Sequence, residues 1–305
     1  MGFRPGSMSA IGHGGSDALG FLYLRSSAVL LSCQFFPNQL PVNLMTTIFP
    51  LDIEEIILDF LAEDDDEDHS ALKTCSLVCH AFLPICRKHI FGSIVLTSDK
   101  AASSPSLTIH AFDCLLRETP EIADYIRKLD YYHGIAEVVP NPASIQESLK
   151  RITRLEFLTV RRRYSSRLDW SNNPIRPALL HLLHLPTLTH FKVISVEKFV
   201  VSDLIPCVNL KCLEIGHYMT VADEHTFPAT PPEHSIRLNE FSAWARSRTA
   251  IMKLCTAQRP DGQPIINFGS LSTITVNFQT HDEGEASQLL FKRCHSLTNV
   301  NVTCK

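Results

Sequence analysis

The densest cluster of charge in this 305-residue sequence is the acidic run Glu63–Asp68, in which Asp64, Asp66 and Asp68 alternate as the first ligands of a calcium-binding loop do. Such a loop needs glycine at its sixth position and a bidentate glutamate at its twelfth, and here those positions are His69 and Cys75. Consecutive like charges repel, so the run reads as a solvated loop. His181, His184 and His190 suggest zinc at first sight. Only the first two share a helical face, His190 lies past Pro186, and no cysteine or carboxylate stands at ligand spacing, so packed or surface histidines are expected. Cys75 and Cys79 are one helical turn apart with no second pair to complete a site, and they read as small core residues. "RRRYSSR" (161–167), with Arg151 and Arg154 nearby, offers cations to phosphate but only Tyr164 as an interleaved aromatic. It is expected to be a solvated loop or a contact for an acidic patch on a protein partner, not a nucleic-acid site. No G-x-S-x-G, P-loop or H-E-x-x-H occurs, and the glycines of "GHGGSDALG" follow no strand. No catalytic residue, cofactor or metal is therefore expected.

The bulk numbers are those of a folded chain with no strong overall field. An apolar fraction of 45% with 20% charged residues is that of a folded chain, and the net charge of −4 advertises neither nucleic acid nor a membrane surface. Ten cysteines with no C-x-x-C in a chain of this size point to free thiols in a reducing compartment, cytoplasmic or nuclear. In that setting the "NVT" acceptor at 301–303 is idle. The stretch 18–36 is apolar but interrupted by Arg25, Ser26, Ser27, Ser32 and Gln34, and fits neither a membrane span nor a signal peptide. Residues 1–45 are expected to be a poorly packed leader, with translation starting at Met45 as an alternative.

The elements that would position a site begin after Met45. In "FPLDIEEIILDFL" (49–61), Ile53, Ile56, Ile57, Phe60 and Leu61 form one helical stripe, with Asp52 as the cap, Glu55 as its return partner, and Glu54, Glu55 and Asp59 on the wet side. Ser70 is expected to cap a second helix carrying Leu72, Cys75, Cys79 and Phe82, with Leu77 and Val78 on other sides. A third short helix carries Ile85, His89, Ile90 and Phe91, with Pro84 in its first turn. Helices apolar on more than one face must be covered on more than one face, and so small a unit cannot do that alone.

"FPLDIEEIILDFL … ALKTCSLVCHAFLPICRKHIFGSIVL" resembles an F-box of the kind common in mushroom-forming fungi. The family pattern is a Leu-Pro start, an Ile/Leu-rich helix, a Cys-Ser-Leu-Val-Cys-Arg-aromatic helix and a short closing helix. Here Phe49 replaces the leucine before Pro50, His80 stands where Arg is usual, and the acidic run lengthens the first loop. The resemblance covers about residues 46–97. It implies a small three-helix domain that docks on the Skp adaptor subunit of a cullin–RING ubiquitin ligase, through Pro50, Ile53, Ile57, Leu61, Leu77, Val78 and Phe82. Ile56 and Leu72 are expected in the intramolecular core.

From residue 91 onward one pattern recurs: apolar, two spacers, apolar, one spacer, apolar. Its instances are "FGSIVL" (91–96), "IRKLDY" (126–131), "ITRLEF" (152–157), "LTHFKV" (188–193), "LKCLEI" (210–215), "LNEFSA" (238–243), "LSTITV" (271–276) and "LTNVNV" (297–302). At 45% apolar residues the bare pattern arises by chance in about 9% of windows, so the weight falls on the stricter form with a small polar residue and Leu in front: "TLTHFKV", "NLKCLEI", "SLSTITV" and "SLTNVNV". These resemble leucine-rich repeats. The asparagine that regular repeats place after each strand is missing; Val160, Val196, Tyr218 and Gln279 stand there. Connecting helices are expected at 107–118, 142–150, 175–184 and 284–294. The expected fold class is thus α+β: a small N-terminal three-helix F-box (46–97) followed by an irregular leucine-rich-repeat-like α/β solenoid (98–305).

Together these imply a non-catalytic substrate-recognition adaptor of a Skp–cullin–F-box ubiquitin ligase, whose repeat part binds an unidentified protein target. The alternative is a scaffold protein whose helical segment caps the repeat array and recruits no ligase.

Overall fold

The structure is a computed structural model, and it describes residues 51–64, 69–78, 80–97, 107–134, 141–162, 167–222 and 235–304. It is a mixed α/β chain with a mostly parallel central sheet and eight α-helices among those residues. No helix there is long and apolar enough to cross a membrane. The chain divides after Cys86 into two compact units.

The first unit holds α1 (Leu51–Asp64), α2 (Ser70–Cys75) and the start of α3 (Phe82–Ile90). Three sequence expectations need correction. Asp52 lies inside the first turn of α1, where its charge favours the helix N-terminus, and does not precede the helix as a cap. Ser70 is the first helical residue of α2, behind a left-handed His69 at the N-cap. The chain also leaves α2 after Cys75, so Phe82 opens the next helix and does not extend that face. The expectations for residues 1–50, for the acids Asp65–Asp68 and for Cys79 fall outside the described residues.

The second unit is built on a nine-stranded sheet of order β13-β12-β10-β8-β6-β4-β3-β1-β2, with all of its neighbouring strands paired in parallel. Its main strands are β1 (Ser93–Thr97), β3 (Lys128–His133), β4 (Phe157–Arg162), β6 (His190–Ile194), β8 (Cys212–Ile215), β10 (Glu240–Ala243), β12 (Thr273–Phe278) and β13 (Asn299–Cys304), flanked at one edge by β2 (Leu107–Thr108). Each main strand lies beside the one before it in the chain. β1, the first of the expected strand motifs although the expected helical domain runs to residue 97, is a strand of this sheet.

A single hydrogen-bond device repeats along the sheet. The last N–H before a strand and the first N–H within it both donate to the carbonyl of the residue just ahead of the preceding strand: Gly92, Arg127, Glu156, Thr189, Lys211, Asn239 and Ser272 in turn. This device also fixes the register. Seven of the expected strand motifs start two residues ahead of their strands, but "ITRLEF" is displaced by three residues. The strand is Phe157–Arg162, with Leu158 opposite Leu129. Ile152 and Leu155 are both fully buried, so the apolar pattern fits either frame.

Inward residues of the strands, such as Leu129, Tyr131, Leu158, Val160, Phe191, Val193, Phe241 and Ile274, are buried in one continuous apolar core with Phe112, Leu149, Leu179 and Leu290 from the helices. Those helices are α4 (Ile109–Glu118), α5 (Pro142–Lys150), α6 (Arg176–Leu183), α7 (Arg248–Thr256) and α8 (His281–Arg293). Four fall where the sequence places them and α7 is additional. α8 begins earlier than expected because Thr280 and Glu283 form a reciprocal capping box.

Between α4 and α5 sits a buried carboxylate. Ser148 Oγ donates to Asp113 Oδ1 at 2.6 Å, Ser144 Oγ lies 2.8 Å from Oδ2, and Arg117 is 3.2 Å away. Burial alone would raise the Asp113 pKa, but the two serine hydroxyls and the Arg117 charge outweigh it and hold the carboxyl below its ordinary value. A folded pKa below the unfolded one means stability that is full above the unfolded value and lost as pH falls through the folded value. Ser148→Ala is expected to cost about 1–2 kcal/mol at neutral pH, because a hydrogen bond to a charged group is removed. It should also flatten the loss of stability below about pH 4, near the unfolded value of an aspartate. Urea unfolding across that pH range measures both.

Candidate partner-binding site

The first unit turns its apolar surface outward. On α1 the buried side chains are Glu54 and Leu58, one turn apart, whereas Ile53, Ile56, Ile57 and Phe60 are 41%, 55%, 50% and 65% exposed. This reverses two sequence expectations. Glu54 is not on the wet side, and its Oε2 is buried with no hydrogen-bond partner among the described residues. Ile56 is not core. Leu72 is core, fully buried beside Cys86 and Leu58 as the sealed apolar residues of the unit.

Residues 53, 56, 57 and 60 fall at i, i+3, i+4 and i+7, so their side chains form one face of the helix. In the turn after α2, Leu77 and Val78 are also exposed, at 51% and 69%. Val78 N–H donates to Cys75 O at 3.0 Å and Leu77 N–H to Thr74 O at 3.1 Å, so backbone bonds hold the turn that presents them. Of the residues the resemblance assigned to docking, Ile53, Ile57, Leu77 and Val78 are exposed, Leu61 and Phe82 are half-buried, and Pro50 lies outside the described residues. Fully burying a side chain of this class is worth about 1.5–3 kcal/mol. A partner covering these half-exposed residues would gain several kcal/mol.

The second unit presents a different surface. Most outward residues of the sheet are polar, aromatic or charged, and several interact in rows across the strands. Phe157 stacks on His190 with ring centroids 4.1 Å apart. The Arg161 guanidinium lies 3.7 Å over the Tyr132 ring. Lys192 Nζ pairs with Glu214 Oε1 at 2.7 Å, and the exposed Trp244 donates its indole N–H to the same oxygen, also at 2.7 Å. A shallow cavity of about 350 Å³ opens along this face. Sequence reasoning missed the surface because outward positions carry no apolar signal. The alternation inside each motif was the only available pointer.

Gly216 follows β8 on this face, where a Cβ would stand 2.5 Å from Ile194 Cγ1 and 2.8 Å from its Cβ. Gly216→Ala is expected to cost about 1–3 kcal/mol through overpacking, and adding Ile194→Ala should recover most of it. Chemical denaturation of the single and double variants measures the recovery.

The groups that suggested chemistry disperse. His184 Nε2 donates to Asp203 O at 2.8 Å, His190 stacks as above, and the buried His181 Nε2 has no partner among the described residues. No group of three His, Cys, Asp or Glu among the described residues is placed to hold a metal ion. Burial raises the Cys212 thiol to about 11, with help from Glu240 and Glu214, and the Cys255 thiol to about 12. Both are protonated at neutral pH and poor nucleophiles.

Neither a family model, nor a curated protein, nor a solved structure matches this chain. The site residues therefore rest on the chain's own pattern and geometry.

Proposed function

We propose that this chain is a substrate-recognition adaptor of a Skp–cullin–F-box ubiquitin ligase, without catalytic residues of its own. In this reading the helical unit is an F-box that docks on the Skp adaptor. The parallel-sheet unit is an irregular leucine-rich-repeat-like solenoid that holds a target protein near a ubiquitin-loaded enzyme in the cytoplasm or nucleus. Ubiquitin transfer is then accelerated by proximity, and the chemistry belongs to the partners.

The observation that carries the proposal is the outward apolar face of α1 with the Leu77–Val78 turn. Large apolar side chains on one helix face are the anchors of helix-in-groove recognition. The order of motifs in "FPLDIEEIILDFL … CSLVCHAF" supports an F-box as their source. The strand-by-strand growth of the sheet, with one bifurcated carbonyl per step, supports the repeat reading.

The test is co-purification of the full chain with a fungal Skp adaptor, followed by addition of a cullin–RING scaffold. A stable complex with each is expected. In the alternative reading, the helical segment is an end cap of the array and captures neither. A chain that stays apart from Skp on size-exclusion chromatography while remaining folded favours that alternative.

A further inference from the structure

We infer that the sheet unit binds an acidic, extended segment of its target through a cluster of residues that follow β4, β8 and β10 in the chain. The inference rests on reading this unit as the target-binding part of the chain. At its centre is Tyr218, an exposed residue in the left-handed region, φ 60°. Two guanidinium groups lie on its ring: Arg246 at 4.8 Å from the centroid and Arg167 at 5.4 Å. Arg246 also donates to the Tyr218 hydroxyl and is itself left-handed, φ 65°. His217 and Trp244 adjoin, with ring centroids 5.4 Å apart.

The charge balance identifies the ligand. Arg167 is paired with Glu197 at 2.7 Å. Glu283 lies close by, but its two oxygens accept backbone N–H bonds from Arg246, Gln279 and Thr280. Among the described residues, no carboxylate is within ion-pair distance of the exposed Arg246 guanidinium, so it retains donors for a bidentate carboxylate. Arg and Tyr at exposed positions are the residue types that anchor protein partners. Non-Gly residues in left-handed conformations cost free energy, and such strain concentrates at binding sites.

Nucleic acid also uses cations with aromatics, but a continuous phosphate backbone would run against Glu197, which pairs with Arg167, and Glu214, which holds the Trp244 indole. A peptide carrying spaced carboxylates can set its charges on the arginines and its backbone past the acids.

The test is fluorescence anisotropy on the full chain with three probes: a labelled peptide of alternating Glu and Ser, its Gln-for-Glu counterpart, and single-stranded oligo-dT. Binding of the acidic peptide alone, weakening with salt, is expected. Arg167→Ala should weaken it about tenfold, as should Arg246→Asn, which keeps a residue tolerant of the left-handed backbone. Lys292→Ala on α8 should leave it unchanged. Equal binding of the Gln peptide, preference for oligo-dT, no binding, or unchanged affinity in both arginine variants overturns the inference. Skp capture, read in parallel, separates the two ideas. Loss of peptide binding with capture intact removes only this inference, and loss of capture with peptide binding intact removes only the ligase reading.

Discussion

If the helical unit docks on a Skp adaptor as proposed, Ile57→Asp combined with Val78→Asp is expected to abolish that capture while leaving the chain folded. Ile57 and Val78 are half or more exposed, on α1 and in the turn after α2, so a carboxylate at either position stays in water in the free protein. Substitutions of that kind change stability by about 0.5 kcal/mol or less. In a complex, each carboxylate would be forced against an apolar partner surface. An unpaired buried charge costs several kcal/mol after relaxation, so two of them should weaken capture by at least about three orders of magnitude. Leu72→Asp is the contrasting variant. Leu72 is fully buried, and a charge there is expected to unfold the helical unit. Pull-down of the variants, with circular dichroism melts on each, distinguishes a lost surface from a lost fold.

The second large effect concerns the sheet unit. Asp203→Ala is expected to lower its stability by about 3 kcal/mol or more, the range for removing one partner of a buried ion pair. Asp203 lies in the short 3₁₀ turn Val201–Leu204 and is 9% exposed. Its carboxylate accepts the indole N–H of the fully buried Trp170 at 2.7 Å and two bonds from Arg176, at 3.0 and 2.8 Å. Without it, a buried indole N–H and a largely buried guanidinium lose their acceptor together. Trp170→Phe keeps the ring packing and removes only one donor, for about 1 kcal/mol. Because the two residues share the bond, the double variant should lose less than the sum of the single losses. Urea unfolding followed by tryptophan fluorescence suits the Asp203 variant. The Trp170 variants are better followed by circular dichroism.

The Asp203 network also shows where sequence reading stopped. Neither Asp203 nor Arg176 belongs to a motif, and their meeting depends on how one returning segment lies on the next. The strand motifs were legible for a reason that the side chains ahead of them make physical. In three of the four stricter motifs, the small polar residue before leucine donates its side chain to a backbone carbonyl of the preceding segment. Thr187 Oγ1 reaches Leu155 O at 2.7 Å, Asn209 Nδ2 reaches Pro186 O at 2.8 Å, and Ser270 Oγ reaches Leu238 O at 3.0 Å. A short donor is needed there, and chance does not supply it at that spacing.

The missing asparagine is replaced by backbone. Return segments pair with each other directly through β5 (Leu168–Asp169) with β7 (Val196–Glu197), through β9 (Ile236–Arg237) with β11 (Ile266–Asn267), and through bonds such as Phe199 N–H to Thr220 O at 2.9 Å. Backbone pairing leaves no side-chain signature, so those ladders could not be read in advance. The register slip at "ITRLEF" has the same origin: with Ile152 and Leu155 both buried, periodicity could not choose between two frames.

On α1 the stripe was legible but its direction was not. An amphipathic pattern tells which residues share a face. It does not tell whether the chain or a partner covers that face, and here Leu58 and Glu54 took the inside.

Amide hydrogen exchange of the full chain, alone and with a purified Skp adaptor, decides whether the outward face of α1 is a docking surface. New protection is expected in α1 across Ile53–Phe60 and in the Leu77–Phe82 segment, with the sheet unit unchanged. Protection confined to the sheet unit, or no change in α1 at adaptor concentrations that saturate a known F-box, would contradict it.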